Sequence, residues 1–545
     1  MEPGRAGATA IAPQQGSGFE RGGTPRARAS WRGSHRRLAL IGLWTAIAVT
    51  SGEPGKDTGY RLAFAHRIWT GQPVMPPGLT EWEECFVPGR HGELHLTWGA
   101  GQVLVLLPFD ILATKAVNAL HLAPAPSARL RTALITCLTF GLIAAGILSS
   151  ALWLLRLLGF SERESVVGAL GLQFATTALT YTQYNQENSL SLLLLLFGMA
   201  CHLDWLERNR RRSLLAGAAA LGFALLVRLT CALDLATVGG MVLALSWGQK
   251  GIRDPQFRAR VLRYAAVMVP VTLLFLALDR LYQWIRFGSV WTTYFGLAMD
   301  HTRRLHPELP AAYPATTPIA SGIWRTLTEP HRSIFLFDPL LIVTIGVAIL
   351  GWSRLWRRAK VALAALFLLL AGYLLVHAPL YDWATVGASW GFRYVLLPVQ
   401  MLGLLALPLV MRLWNELRTW ARFALATATS FALLVQLQSI LLWRAVEDGQ
   451  MVYWKRDVVV IWQRFLNVTA LALGKFEAWG FSFPAFSRRY GTLNFVPFLF
   501  REYVSPTVAR AAQVAWVAAV VLLVALAVQT VRRASPDMRA DSDAR

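Results

Sequence analysis

The chain has 545 residues, 55% of them hydrophobic and only 15% charged, with a mean hydropathy of +0.43. Soluble domains carry about 25% charged residues, so lipid rather than water is the main solvent here. The 53 Lys and Arg against 31 Asp and Glu leave a formal charge of +22, but the cations sit in short runs between apolar stretches, the positive-inside pattern of a membrane protein. No basic, aromatic-interleaved module remains to bind nucleic acid.

Residues 1–37 are rich in Gly, Ala, Pro and Arg and read as a disordered basic tail before an uncleaved first span, because no small-residue cleavage site follows the apolar run from Leu38 to Thr50. Apolar stretches of spanning length lie near 38–52, 132–155, 166–182, 189–206, 213–228, 229–247, 264–285, 334–352, 361–378, 392–411, 423–443 and 509–530. Basic connectors follow at Arg36-Arg37, Arg156 with Arg163, Arg208 through Arg212, Lys250 through Arg263, Arg354 through Lys360, Arg412 through Arg422, and Arg532-Arg533. All fall on one side of such a bundle. The expectation is an all-α polytopic protein of a bacterial inner membrane with about twelve transmembrane helices and both termini cytoplasmic. Val103 to Leu120 would break this parity if it crossed. It carries Pro108, Asp110 and Lys115 and is read as a helix at the interface, where polar groups are better tolerated.

The extracytoplasmic side then holds residues 53–131, 286–333 and 444–508, and a tail of residues 531–545 follows the last span. Of the four cysteines, Cys137, Cys201 and Cys231 fall in apolar segments and only Cys85 in a hydrophilic loop, so neither a disulfide framework nor a cysteine metal site is expected. The first external loop opens with Glu53, Asp57, Tyr60, His66 and Arg67 and closes on Glu93 and Trp98-Gly-Ala-Gly-Gln102. A carboxylate just past a span, followed at three and ten residues by an aromatic and a cation, has the ingredients of a base beside a phosphate-binding group. Equally, Asp57 would N-cap a helix beginning near Thr58.

Further along, Arg129 and Arg131 open the second span, Glu187 follows Tyr184-Asn-Gln, His331-Arg332 precede Phe335-Leu-Phe-Asp338-Pro, and Arg393 follows Trp390-Gly-Phe. Any one arginine near a helix end is an ordinary snorkelling anchor. Together these residues place several cations and two carboxylates at one depth. Arg228 and Asp279-Arg280 stand isolated in apolar surroundings, where a central charge costs about 2.5–3.5 kcal/mol on insertion scales. Arg228 is read as the break between two short spans at the external surface.

At these residues the chain resembles the GT-C superfamily of integral-membrane glycosyltransferases, in the branch of protein O-mannosyltransferases and the lipid A aminoarabinose transferase. Five features carry the resemblance, which extends over roughly residues 35–440. They are an acidic first loop with Asp57, Tyr60 and, after an amphipathic helix, Gly71; Trp98-Gly-Ala-Gly-Gln102 leading into Leu107-Pro108; Ala128-Arg129-Leu130; Tyr184 to Glu187; and Trp390-Gly-Phe-Arg393-Tyr394 before Leu397-Pro398. The resemblance implies a GT-C-type bundle with juxtamembrane helices, a sugar donor on a polyprenyl phosphate, and an acceptor (lipid, glycan or protein) reached from the outer face. It also implies an acidic first-loop residue as base, a position that Asp57 matches. The branch often has Asp-Glu where this chain has Asp57-Thr58, with Glu53 four residues earlier, so Asp57 and Glu53 both stand as candidates, with Glu187 as a further catalytic carboxylate.

Tyr60, His66, Arg67, Trp98, Arg129, His331, Arg332, Trp390 and Arg393 are the candidate substrate-binding residues. No Asp-x-Asp occurs in the external loops; no metal ligands are assigned, and a need for a divalent metal stays open. The chemistry is self-consistent. A polyprenyl phosphate leaves as an anion and needs no general acid, unlike a glycosidase leaving group, so one base and several cations suffice, and direct displacement inverts the anomeric centre. Two other readings compete: a transporter or lipid flippase, which would use mid-membrane charges or broken helices and similar halves, and a non-catalytic envelope-assembly subunit of the same fold.

Overall fold

The computed structural model describes residues 25–71, 86–247, 253–308, 315–382, 390–442, 445–454, 459–475 and 493–534. Cys85, the first 24 residues of the expected tail, residues 476–492 of the 444–508 segment and the tail from 535 onward lie outside them. The described chain is almost wholly helical, with one short antiparallel hairpin, β1 (Phe86–Pro88) and β2 (Leu94–Leu96), in which Val87 faces His95. It is an all-α polytopic membrane protein. Among the described residues nine helices are long and apolar enough to cross a bilayer.

In chain order the helices are α1 (Pro25–Val49), α2 (Lys56–Thr70), α3 (Gly101–Asn118), α4 (Pro124–Leu158), α5 (Glu162–Ala175), α6 (Ala178–Tyr184), α7 (Glu187–Arg208), α8 (Arg211–Val227), α9 (Ala232–Ser246) and α10 (Pro255–Phe287). Then come α11 (Tyr294–Leu305), α12 (Ile319–Thr328), α13 (Ile334–Phe337), α14 (Leu340–Gly351), α15 (Arg357–His377), α16 (Leu396–Leu413), α17 (Thr419–Leu441), α18 (Ala445–Trp454), α19 (Val460–Ala472), α20 (Val496–Leu499) and α21 (Pro506–Arg533). Each apolar stretch expected to span is helical over most of its described length, although two are broken in the middle. Of these, α5, α8 and α14 are short, and the basic first half of α1 dilutes its apolar half. Residues 25–37, expected as tail, continue α1 as helix.

The helix ends follow ordinary sequence signals. Pro124 opens α4 and left-handed Gly159 (φ +102°) closes it, while α5 starts on a Ser161/Glu164 capping box. Small residues let α1 and α4 approach closely, since a Cβ at Gly42 would lie 2.6 Å from the Ala144 carbonyl group. Two expected spans are interrupted. α5 stops at Thr176 because the Asp338 carboxylate takes the Thr177 N–H at 2.6 Å and its hydroxyl at 2.9 Å, supplying partners that a continuing helix would have supplied. Asp338-Pro339 likewise divides α13 from α14.

Pairings across the bundle define two ends. Ser34 bonds Glu162 at 2.6 Å, Trp356 donates to the Leu158 carbonyl, Arg358 pairs with Glu207, and Arg412 with Glu164. All the basic connectors represented in these contacts therefore gather at one end. The other end is marked by Thr50 beside Thr136 at 3.3 Å, Gly55 N–H on the Tyr184 carbonyl at 2.9 Å, and Trp516 on the Ala48 carbonyl at 2.7 Å. α3 has the length and apolarity of a span, but its contacts keep it at this second end. Its first residues abut the end of α8, Asp110 in its middle meets Arg131 in the first turns of α4, and five residues separate its last from the first of α4.

Candidate functional site

The site is built where α2, α3, the α6–α7 junction, the α8–α9 junction and the 390–395 turn meet. The α6–α7 junction is a tight corner. Asn185 takes the left-handed conformation (φ +58°), which asparagine tolerates through local hydrogen bonding, and its side chain bonds the Gln183 carbonyl at 2.8 Å. Thr58 Oγ1 donates to the Asn185 carbonyl at 2.7 Å and Gln102 Nε2 to the same oxygen at 3.2 Å. The loop carboxylates and Glu187 are thereby locked into one layer.

Glycines bring the third piece in. A Cβ at Gly99 would lie 2.3 Å from the Leu226 carbonyl oxygen, and one at Gly101 2.8 Å from the Val227 nitrogen. The Trp98-Gly-Ala-Gly-Gln102 segment can thus lie directly on the backbone that leads into Arg228. The fourth piece, Trp390 to Arg393, turns on left-handed Gly391 (φ +72°) and is held by its own backbone: Arg332 Nη1 donates to the Gly391 carbonyl at 3.2 Å, Tyr181 Oη to that of Trp390 at 3.1 Å, and Asn188 Nδ2 to that of Arg393 at 2.9 Å.

Within this frame Arg393 Nη1 donates to Asp57 Oδ2 at 2.7 Å and Nη2 to the Tyr394 hydroxyl at 3.0 Å. Arg61 Nη1 donates to Glu187 Oε2 at 2.8 Å, and Arg228 Nε lies 3.8 Å from Glu187 Oε1. Aromatic faces complete the surround: Arg61 over Trp98 at 4.4 Å, Arg228 over Tyr394 at 5.1 Å, and Tyr60 stacked on Trp98 at 6.0 Å. Three guanidiniums and two carboxylates thus share one partly closed layer. Burial works against the charge on Arg393, yet Tyr394, Asp57 and Glu187 around it hold its pKa well above the ordinary arginine value. Among the described residues the layer keeps one formal positive charge beyond its own ion pairs, which suits it to an anion.

Asp57 does not cap α2. The N-cap is Gly55, no side chain bonds the helix start, and the Asp57 carboxylate, 15% exposed, is turned to Arg393 instead. Glu53 stands apart, paired with Arg129 at 2.9 Å. The buried Asp110 carboxylate takes His66 at 2.8 Å, the Trp69 indole at 2.7 Å and Arg131 Nε at 2.9 Å, so a polar group expected in an interface helix is satisfied within the protein. Arg67 pairs with the exposed Glu93 at 3.0 Å. Arg332 serves the Gly391 backbone, and half-buried His331 makes no ion pair with a described residue.

Trp390, expected on the substrate surface, is fully buried between Phe337 (5.0 Å) and Arg464 (5.5 Å). Of the expected cations only Arg393 joins Asp57. Arg61 was not singled out, although Asp57 and Arg61 share a helix face at i and i+4; Arg228 was read as a span break, which it is, but its isolation in an apolar run was the signal of a partner. Among the described residues no group of three or more His, Cys, Asp or Glu is placed to hold a metal ion. No protein-family model, curated protein or solved structure matches the chain.

Proposed function

We propose that the chain is a GT-C-type glycosyltransferase of a bacterial inner membrane that moves a sugar from a polyprenyl-phosphate donor to an acceptor hydroxyl on the extracytoplasmic face. One observation carries the reading: Asp57 lies 2.7 Å from Arg393 in a layer that also holds Glu187, Arg61 and Arg228, at the end of the bundle away from the basic connectors. By the positive-inside rule that end is external.

In this reading the acceptor oxygen attacks the anomeric carbon, the bond from that carbon to the phosphate oxygen breaks with its electron pair, and Asp57 accepts the hydroxyl proton. Arg393 and Arg228 stabilise the charge growing on the leaving phosphate in a partly desolvated layer. Before the donor arrives Arg393 is engaged by Asp57; a phosphate that draws the guanidinium to itself releases the carboxylate to act as base. Glu187, flanked by two arginines, orients cations and is a poor base, so it is assigned a positioning role. Glu53, engaged by Arg129, ranks behind Asp57. The polyprenyl chain stays in lipid throughout.

A transporter would use discontinuous helices, and the α5–α6 break is one. Its carboxylate, Asp338, is taken up by Thr177, while the charged groups gather at the bundle end, which favours transfer chemistry. The test compares, by mass spectrometry, the envelope glycans and glycolipids of a deletion strain complemented with the wild type or with Asp57→Asn at equal membrane levels. The wild type restores the missing product and Asp57→Asn does not; restoration by Asp57→Asn overturns the assignment.

A further inference from the structure

At the end of the bundle that carries the basic connectors, a cavity of about 310 Å³ opens among the last turns of α7 and α9 and the first turns of α10 and α15. It lies at the other end of α7 from the Asp57 layer, since Glu187 begins that helix and Glu207 lies in its last turn, a rise of about 30 Å.

Among the described residues Arg260, Arg357 and Arg358 line the cavity with a single carboxylate, Glu207. Each of the two neighbouring arginines is fixed by one nitrogen. Arg358 Nη1 donates to Glu207 and, at 2.8 Å, to the Leu157 carbonyl; Arg357 Nη2 donates to the Ala244 carbonyl at 2.9 Å and to that of Trp247. A guanidinium has five N–H donors, so both keep donors beyond those bonds, and Arg260 forms no ion pair with a described residue. Glu207 offsets one cation and two positive charges remain. The rest of the lining is apolar, formed by Leu203, Leu206 and Leu245.

We propose that this cavity holds the phosphate headgroup of an anionic phospholipid, with the arginines on the phosphate and the leucines along the glycerol and the first methylenes of the acyl chains. A free phosphate has the same charge chemistry but gains nothing from the leucine wall, and a zwitterionic lipid carries its own cation into a site that already has an excess of them. Basic pockets between helices at the membrane surface are suited to such headgroups.

The experiment is native mass spectrometry of the full-length protein in detergent, titrated with phosphatidylglycerol, with phosphatidylcholine of the same acyl chains, or with phosphatidylglycerol in the presence of excess inorganic phosphate. The expected result is that phosphatidylglycerol is retained in preference to phosphatidylcholine, and that inorganic phosphate does not displace it. In Arg260→Gln, which breaks no bond to a described residue, phosphatidylglycerol retention weakens about fivefold while phosphatidylcholine retention is unchanged. Equal retention of the two lipids by the wild type, or unaltered retention of phosphatidylglycerol by Arg260→Gln, overturns the proposal. Displacement by inorganic phosphate also overturns it, and marks a site for soluble anions. The wild-type comparison decides without any variant.

Discussion

Glu187→Gln removes a charge on which two arginines depend. Arg61 lies 2.8 Å and Arg228 3.8 Å from the carboxylate, and the Arg61 and Glu187 side chains are 4% and 6% exposed. At an effective dielectric of about 20 these separations correspond to attractions of about 6 and 4 kcal/mol, largely offset by the cost of taking three charged groups out of water. The amide that replaces the carboxylate leaves that cost in place and deletes the attraction, so the net loss is the one measured when a buried pair is broken, about 3–5 kcal/mol. The assay is denaturant unfolding in detergent micelles followed by tryptophan fluorescence. A second variant, Arg61→Gln with Glu187→Gln, removes one stranded cation and recovers at least half of the loss. If Glu187→Gln unfolds within about 0.5 kcal/mol of wild type, or if the double variant is less stable than the single one, the layer is not organised by Glu187 and the reasoning fails.

Gly99→Ala puts a methyl group against the Leu226 carbonyl oxygen, so the end of α8 must move with Arg228; product formation in the complementation assay falls about a hundredfold, and stability in the unfolding assay falls by an overpacking cost of about 1–3 kcal/mol. Arg464→Met strands Glu447, a fully buried partner at 2.6 Å, and frees the Ser439 and Leu442 carbonyls that Arg464 also satisfies; the expected loss is about 3–5 kcal/mol by the same unfolding assay. At the α6–α7 corner, Asn185→Gly keeps the left-handed turn and wild-type stability, whereas Asn185→Val costs about 1–2 kcal/mol; equal stabilities for the two would remove the corner from the account.

The membrane character and the two-ended bundle were legible because they rest on apolar length and on the placement of Arg and Lys, both of which are local properties of the sequence. Asp57, Glu187 and Arg393 were legible as residues at one depth, and the structure brings Arg393 onto Asp57. Their grouping with Arg61 and Arg228 was not, because it depends on how far helices approach. Gly99 and Gly101 let a loop lie on the α8 backbone, and nothing in a linear reading tells such a glycine from a turn glycine. Thr176-Thr177 looked like the inside of a continuous span, since the residue that breaks it, Asp338, lies 161 positions away. For the same reason His66, Arg67 and Arg129 looked available, although Asp110, Glu93 and Glu53 engage them.

The sequence separation of these pairings has a consequence for biogenesis. Arg393 is 336 residues from Asp57, and Trp516 is 468 residues from Ala48, whose carbonyl it bonds. At a synthesis rate of about 5–20 residues per second, Asp57 is inserted about 20 to 70 seconds before Arg393 exists. During that interval α1 stands in the bilayer and α2 outside it with a solvated Asp57 carboxylate, and only arrival of the tenth expected apolar stretch lets the pair close. Trp516 on α21 then fastens the first helix to the last, so a ribosome halted before α21 leaves α1 without its final clasp.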